Sequence, residues 1–225
     1  MPEKKLLRTG DGSFTLACEA INETYHSRHG ALQESRYVYL QKGLAYWHQQ
    51  NPSATHCNIF EMGFGTGLNA LLAAQYGLQN QFFITLESIE NDPLEATLQE
   101  RLGLYQFFVD YFKKEDVLRF LSEEWNHVME PFSSFKLCKR TIDYFEWKPS
   151  FGIDLIFYDA FGSHAQSEMW EKTALERCVK GLRPGGVWVS YCAKGSVRRA
   201  LGELGLQVER LEGPPGKREM IRAVK

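Results

Sequence analysis

The sequence predicts an α/β fold, in which a mostly parallel seven-stranded sheet lies between helices and ends in an antiparallel hairpin. Short apolar runs alternate with helical patterns after residue 50, which is typical of βαβ units. The last two runs alternate apolar and polar residues and are joined by the turn PPGK, which predicts the hairpin. The 225 residues, 44% of them hydrophobic, suffice for the core of one globular domain.

Each expected element has its own signal. Asp92 and Pro93 are typical of an N-cap and a first helical position, and the motif RPGG at 183–186 predicts the end of a later helix. The predicted strands span residues 57–62, 81–90, 133–143, 152–161, 187–193, 206–213 and 218–224. The predicted helices span residues 68–78, 93–103, 167–182 and 195–204.

Two regions depart from this alternation. Residues 1–50 are predicted to form an appendage, a polar hairpin followed by a helix, ahead of a domain at 51–225. Residues 105–130 are rich in aromatic side chains and less regular, and they predict a helical insertion within that domain.

The composition disfavours several classes of protein. No apolar stretch approaches the roughly 18–20 residues of a membrane span, and the N-terminus lacks the apolar core of a signal peptide, so we expect a cytoplasmic protein without membrane contact. The five cysteines are scattered and form no CxxC pair, which disfavours a disulfide scaffold and a thiolate zinc site. The close pair His26 and His29 has no evident partner ligands, so no metal is expected.

The charge is unevenly distributed along the chain. The net charge is −2, but residues 177–225 hold 11 Lys or Arg against four acids, a local charge near +7. Such asymmetry favours a polyanionic partner at one end of the molecule, although solvated basic helix faces would give the same count.

The motif EMGFGTGLN follows the first predicted strand and places Gly63, Gly65 and Gly67 after the acid Glu61. A dinucleotide site would have the pattern G-x-G-x-x-G, with its last glycine where this chain has Leu68. S-adenosylmethionine has no phosphate and needs space beside a flat turn, and an acid suits its ammonium and sulfonium groups. The motif therefore favours S-adenosylmethionine over a nicotinamide or flavin cofactor. A purely structural glycine turn is the other alternative.

Acids follow the next two strands as well. Glu90 ends the second strand, about 20–30 residues past the glycines, and is predicted to accept hydrogen bonds from ribose hydroxyls. Glu87 is the weaker candidate for that role. Asp143 follows the third strand and is predicted to meet the adenine amino group or, alternatively, to cap a helix.

Asp159 ends the most hydrophobic strand and is the predicted catalytic acid, whereas Asp154 begins that strand on the wrong side of the sheet. A carboxyl flanked by Tyr158 and Phe161 is partly desolvated and therefore a better proton acceptor. Methyl transfer from a sulfonium requires alignment with a nucleophile, and an alkyl amine must first lose a proton. The alternative is that Asp159 only caps the next helix or orients a loop.

Several motifs then occur in one order along nearly the whole chain. They are EMGFGTGLN, the Glu90-x-x-Pro93 turn, YDAF, EMW, RPGG, GSVRRALGELG and GKREM, preceded by YHSRHGALQESRYVYL. This series resembles the methyltransferase component of the tRNA wobble-uridine enzymes called MnmC, and more closely its stand-alone form, MnmD. The resemblance implies a Rossmann-like class I methyltransferase fold. It also implies that S-adenosylmethionine is held by Glu61, Gly63, Gly65, Gly67, Asn69, Glu90 and Asp143.

The resemblance further implies the reaction. A 5-aminomethyl group on a tRNA wobble uridine, with or without a 2-thio group, would receive one methyl on nitrogen, with Asp159 facing the acceptor amine. Fused members carry a flavin-dependent oxidase that unmasks this amine. Because this chain stops at Lys225, either a separate oxidase in the same pathway or another source of the free amine is expected. The alternatives are a small-molecule N- or O-methyltransferase and a non-catalytic tRNA-binding relative.

Contacts with the anticodon stem-loop are predicted at both ends of the chain. Phosphate contacts give affinity and register, while base contacts specify. The candidates are Arg28, Arg36, Tyr37, Lys217 and Arg218, and ordinary surface ion pairs or packing are the alternative for each.

The loop after Asp159 departs from the family pattern. The family typically continues with Phe-Ala-Pro, whereas this chain reads Phe161-Gly162-Ser163 and has no proline before residue 167. Glycine in place of alanine and the loss of proline predict a more flexible loop.

Overall fold

The computed structural model describes residues 4–225, which form a central eight-stranded sheet and a three-stranded N-terminal sheet. The strands are β1 Lys4–Arg8, β2 Phe14–Cys18, β3 Glu23–Thr24, β4 His56–Met62, β5 Phe83–Glu90, β6 Val128–Phe132, β7 Phe135–Thr141, β8 Ile153–Tyr158, β9 Leu182–Ser190, β10 Gln207–Glu212 and β11 Glu219–Val224. The α-helices are α1 Ala31–Ser35, α2 Tyr46–Gln50, α3 Leu68–Asn80, α4 Ala96–Arg101, α5 Lys114–Ser122, α6 Lys172–Gly181 and α7 Gly195–Glu203. No helix among these residues has the length and apolarity to cross a membrane.

The central sheet has the order β10-β11-β9-β8-β4-β5-β7-β6. Strands β9, β8, β4, β5 and β7 are parallel neighbours, and the pair β10–β11 is an antiparallel hairpin at one edge. The predicted fold class is therefore confirmed. The chain crosses from one half of the sheet to the other between the neighbours β4 and β8, and open α/β sheets have their ligand crevice at such a point.

The sheet has one strand more than the seven predicted, because β6 lies within the expected helical insertion at 105–130. Only α5 and a short 3₁₀ turn, Leu104–Phe107, are helical there. β6 pairs antiparallel with β7 at the edge of the sheet. Its sequence, VMEPF, contains a proline, which edge strands tolerate but which hides a strand from pattern analysis.

Two helices begin later than predicted: α4 at Ala96 and not at Pro93, and α6 at Lys172 and not at residue 167, because Ser167–Trp170 forms a 3₁₀ turn. Ahead of α4, the backbone amides of Asn91 and Asp92 donate to Glu90 Oε1, both at 3.0 Å. α6 ends at Gly181, just before the RPGG motif as predicted, but the motif itself is part of a strand. It lies within β9, where the amide of Gly185 donates to the carbonyl of Lys225 at 2.7 Å.

The N-terminal region forms three strands, β1 to β3, where a hairpin was expected. The helical segment after them is continuous from α1 through the π-helical stretch Arg36–Ala45 to α2. This segment packs against β8 and β9, and a Cβ on Gly43 would lie only 2.9 Å from Val189 Cγ1. The close approach explains why a residue without a side chain occupies this position.

The core has two hydrophobic clusters, and alternating residues of the central strands contribute to one or the other. On β4, Cys57 and Ile59 join the cluster that contains α3, whereas Phe60 and Met62 join the cluster that contains α6 and α7. Alternation then places Glu61 on the α3 face of the sheet.

We predict opposite effects from alanine at two helical glycines. A Cβ on Gly77, in α3, would lie 2.7 Å from the carbonyl oxygen of Phe82, whereas nothing lies within 4 Å of a Cβ on exposed Gly202, in α7. Gly77→Ala should lower the free energy of unfolding by about 1–3 kcal/mol because backbone must move. Gly202→Ala should raise it by about 0.5–1 kcal/mol through helix propensity. Urea denaturation of both variants checks this, and a gain at Gly77 would contradict the packing described.

Candidate active site

A cavity of about 1250 Å³ opens at the carboxyl ends of β4, β5 and β8. Three parts of the chain line it: the segments that follow β4, β5, β7, β8 and β9, residues between 4 and 34, and residues between 210 and 219. Pockets for one small ligand typically measure about 300–1,000 Å³, so this cavity has room for more than one small molecule.

The glycine loop presents bare backbone to this cavity. Gly63, Gly65 and Gly67 have φ values of 85°, 50° and 80°, in the left-handed region that favours glycine. Gly63 and Gly65 line the cavity, and a Cβ on Gly63 would approach the carbonyl oxygen of Asp159 to 3.0 Å. Gly67 does not line it; a Cβ there would lie 2.5 Å from Leu121 Cδ2, so close packing requires this glycine.

Three amides of this loop are already occupied. Those of Gly63 and Phe64 donate to the carbonyl of Ile89 at 3.1 Å, and that of Gly65 donates to Glu90 Oε2 at 3.0 Å. A diphosphate bound against these residues would need their amides free. The loop therefore fits a phosphate-free cofactor such as S-adenosylmethionine better than a dinucleotide.

Glu90 is half-buried and lines the cavity at the end of β5. Its carboxylate accepts three backbone hydrogen bonds, from Gly65, Asn91 and Asp92, each at 3.0 Å. A carboxylate offers about four acceptor positions. The remaining position can accept a hydroxyl, as predicted for the ribose. Glu87 is buried away from the cavity and accepts from Arg140, Trp147 and Ser150.

Asp143 lies at the edge of the cavity, and Asn69 lies on its floor. Asp143 is exposed, and its Oδ1 accepts from the amide of Phe145 at 2.7 Å, so it also opens a turn. Its Oδ2 takes part in no hydrogen bond among residues 4–225. Asn69, in the first turn of α3, donates from Nδ2 to Asp159 Oδ2 at 2.8 Å.

Asp159 directly follows β8 and faces the cavity. Tyr39 donates its hydroxyl to Asp159 Oδ1 at 2.6 Å, so each carboxylate oxygen has one donor, the other being Asn69. Burial raises the pKa of Asp159 to about 7, against the opposing effect of these two hydrogen bonds. A carboxyl with this pKa exchanges a proton readily near neutral pH.

A partly buried ion pair closes the wall beside Asp159. Lys217 Nζ lies 2.6 Å from Glu34 Oε1 and 3.7 Å from the centre of the Tyr191 ring. The other oxygen of Glu34 accepts from the amide of Ser27 at 2.7 Å. The wall thus combines α1, the C-terminal hairpin and the loop after β9.

The N-terminal strands close the opposite side of the cavity. Glu23 Oε1 accepts from the amide of Gly162 at 2.9 Å, and a Cβ on Gly162 would collide with that oxygen. Tyr25 packs edge-on against Phe161, with ring centres 5.0 Å apart. His26 is buried, and burial lowers its pKa to about 4, so it is neutral at physiological pH.

The loop that the sequence predicts to be flexible is held at several points. The amides of Ala165 and Gln166 donate to the carbonyl of Gly162 at 2.8 and 3.0 Å. Gln166 Oε1 in turn accepts from the amide of Phe161 at 3.0 Å. The hydrogen bond from the Gly162 amide to Glu23 also holds the loop, and only glycine at this position leaves space for it.

The structure brings most of the predicted site residues together. Those that line the cavity are Gly63, Gly65, Asn69, Glu90, Asp143, Asp159, Lys217 and Arg218. Those that do not are Glu61, Gly67, Arg28, Arg36 and Tyr37. Glu61 is fully buried, and Tyr37 donates to the carbonyl of Glu212 at 3.0 Å. No group of three or more His, Cys, Asp or Glu side chains within residues 4–225 is arranged to hold a metal ion.

Four further residues belong to the site and were not predicted from the sequence: Tyr39, Glu34, Glu23 and Tyr191. Three of them come from the N-terminal 50 residues, which the alternating pattern sets apart from the sheet. The only signal for them is the leading segment YHSRHGALQESRYVYL, which contains Glu34 and Tyr39. No residue spacing relates that segment to β8.

Comparison with known proteins agrees with this geometry. A family model described as S-adenosyl-L-methionine-dependent methyltransferase matches residues 137–225. The tRNA 5-methylaminomethyl-2-thiouridine biosynthesis bifunctional protein MnmC of Nitrosospira multiformis is 31% identical over 210 residues, which cover 90% of this chain and 34% of that protein. MnmC of Leptospira interrogans is 28% identical over 226 residues, covering 95% of this chain and 34% of that protein. The chain thus spans about a third of the length of these curated relatives.

A solved structure shares the fold. The crystal structure of MNMC2 from Aquifex aeolicus superposes with a TM-score of 0.76 over 100% of this chain and 70% of that chain, at 23% sequence identity. The match includes the N-terminal region as well as the central sheet. In sequence and in fold, the chain thus resembles the S-adenosyl-L-methionine-dependent methyltransferases of the MnmC type.

Proposed function

We propose that this chain transfers a methyl group from S-adenosylmethionine to the nitrogen of a 5-aminomethyl group on a tRNA wobble uridine. The observation that carries the proposal is Asp159, a carboxyl with a pKa of about 7 at the floor of a cavity that the glycine loop and Glu90 also line. The names of the relatives supply the class of acceptor, 5-methylaminomethyl-2-thiouridine in tRNA.

Asp159 suits an amine acceptor. An alkyl amine is protonated at neutral pH, and the ionised carboxylate can hold the ammonium, accept a proton from it and direct the nitrogen lone pair. S-adenosylmethionine supplies a methyl group already activated by its bond to the sulfonium. The carbon–nitrogen bond forms as the carbon–sulfur bond breaks, so the protein has mainly to align the two partners and exclude water. Tyr39 and Asn69 fix the direction of the carboxylate.

The residues around the glycine loop are the proposed cofactor site. Gly63 and Gly65 supply bare backbone, Glu90 retains one acceptor position for a ribose hydroxyl, and Asp143 has one oxygen free for an adenine amino group. The cavity volume leaves space for a nucleoside beside this cofactor.

Cations at the rim support a polyanionic substrate. Lys194, Arg210 and Arg218 line the cavity, and Arg218 forms no ion pair within residues 4–225. Lys217 already forms an ion pair with Glu34, so it is better suited to stabilise the cavity wall than to bind a phosphate. Arg28 and Arg36 are exposed outside the cavity, where they can meet only more distant parts of a tRNA. The cytoplasmic location and a separate oxidase as pathway partner remain parts of this proposal.

A nucleoside assay tests the proposal. tRNA bearing 5-aminomethyluridine, incubated with the protein and labelled donor, should yield labelled 5-methylaminomethyluridine on digestion and mass analysis. Asp159→Asn should lower kcat about 100-fold or more, because the proton acceptor is lost while the side-chain shape remains. Labelling of free amines or phenols but not of tRNA would favour a small-molecule methyltransferase, and donor-independent tRNA binding alone would favour a non-catalytic relative.

The pH dependence of kcat should respond to Tyr39. Activity is expected to rise with pH through about 7 as Asp159 ionises. Tyr39→Phe keeps the ring but removes a hydrogen bond that favours the ionised form, so the rise should move to higher pH by about one pH unit. Tyr76→Phe, which removes a hydroxyl bonded to His48 outside the cavity lining, is the matched control. If the midpoint of the rise in kcat is unchanged in Tyr39→Phe, the ionisation of Asp159 does not control the pH dependence of kcat.

The salt dependence of tRNA binding should identify phosphate contacts. Arg218→Ala should reduce the slope of log K against log salt by about 0.7–0.9 for a single lost contact. Arg101→Ala, an exposed change of the same charge outside the cavity lining, should leave the slope unaltered. Equal slopes for the wild type and Arg218→Ala would show that Arg218 does not contact a tRNA phosphate.

A further inference from the structure

Glu61, the acid of the glycine-loop motif, lies inside the sheet and not at the cavity surface. It lies on the central strand β4, opposite Ser88 on β5 and Phe157 on β8. Its side chain is fully buried and does not line the cavity, whereas its neighbours Met62 and Gly63 do. A ligand in the cavity therefore meets the backbone that follows Glu61 but not its carboxyl group.

Asp159 accepts hydrogen bonds on both oxygens, whereas Glu61 accepts none. Asp159 receives one donor on each oxygen, as an ionised carboxylate requires. Neither oxygen of Glu61 has a hydrogen-bond partner among residues 4–225, and the adjoining Ser88 Oγ and Asn69 Oδ1 are also buried without partners. A carboxylate without donors or a cation is strongly disfavoured in a protein interior, so the neutral form of Glu61 is the stable one.

Asn69 connects the two carboxyl groups. Its Nδ2 donates to Asp159, which leaves Oδ1 as an atom that can only accept. The Glu61 side chain adjoins Asn69, and a protonated carboxyl has the hydrogen that this acceptor lacks, whereas a carboxylate has none.

We infer that Glu61 is a neutral positioning residue, which donates its carboxyl proton to Asn69 and so holds the Asn69 amide against Asp159, and that it is not a carboxylate ligand of the methyl donor. The effect of Glu61 on catalysis rests on the proposed role of Asp159. The protonation state of Glu61 and its lack of contact with S-adenosylmethionine are independent of that role, because both follow from the packing of β4, β5 and α3.

The charges around Glu61 agree with this assignment. Burial raises the pKa of Glu61 to about 8, and the nearby acids Asp159 and Glu90 raise it further. The folded protein then binds a proton at Glu61 that the unfolded chain releases above pH 4.5. Stability is therefore lost as pH rises from about 4.5 to about 8, and it levels off above that value.

Three variants test the inference. Glu61→Gln mimics the neutral acid, Glu61→Leu removes its hydrogen bonding, and Glu87→Gln changes a buried acid on β5 that does have donors and an ion pair with Arg140. The readouts are the Tm between pH 5 and 8.5, the Kd for S-adenosylmethionine by calorimetry, and kcat with its pH profile. The first two require no knowledge of the acceptor.

Glu61→Gln should gain in Tm over the wild type as pH rises to about 8, whereas Glu87→Gln should lose stability across the range. Glu61→Gln should keep the Kd for S-adenosylmethionine within about threefold of the wild-type value. Glu61→Leu should also bind S-adenosylmethionine, but its kcat should fall about tenfold and the rise of kcat with pH should move to higher pH. A tenfold weaker Kd in Glu61→Gln would overturn the inference in favour of a carboxylate ligand. A pH-independent Tm difference would also overturn it. Should tRNA prove not to be the substrate, the Tm and Kd results would still decide the state of Glu61.

Discussion

The parallel pairing of β4 with β8 determines where the chemistry of this protein can take place. Met62 on β4 aligns with Tyr158 on β8, and the amide of the next residue, Asp159, donates to the carbonyl of Met62 at 3.1 Å. The glycine loop and the acid therefore leave the sheet side by side. A register slip of one residue would turn Asp159 to the opposite face of the sheet, away from Tyr39 and α3. Neither group has a function without that alignment.

Two carboxyl groups on the same face have different environments, and the difference gives each a role. Asp159 faces the cavity and has donors on both oxygens, so it can carry the negative charge. Glu61 lies one layer deeper without donors, and its neutral form avoids a second charge close to the first. Much of the basic charge near the C-terminus is likewise compensated locally: Lys217 by Glu34, Arg222 by Glu209 and Arg183 by Asp154. The electrostatic attraction of a polyanion then depends on a few rim residues and not on the whole segment.

The sequence predicted the parts of the fold that local patterns encode. Apolar strands, the glycine loop, Glu90 and Asp159 all belong to consecutive βαβ units, whose order constrains their positions. The edge strand β6 escaped because its proline breaks the pattern, and the amides of Asn91 and Asp92 ahead of α4 bind Glu90, a contact that no local pattern signals. The partners Tyr39 and Glu34 escaped because tertiary packing alone brings α1 and the π-helical segment over β8. The division into an appendage at 1–50 and a domain at 51–225 stays a prediction, as do the binding roles of individual residues.

The ion pair between Glu34 and Lys217 joins residues 183 positions apart. Closing so long a loop is entropically costly, and contacts of this kind form late when a chain folds. During synthesis, the strands that carry the glycine loop and Asp159 emerge from the ribosome well before Lys217. A nascent chain can thus assemble much of its sheet while the cavity still lacks the wall that Lys217 and Glu34 complete.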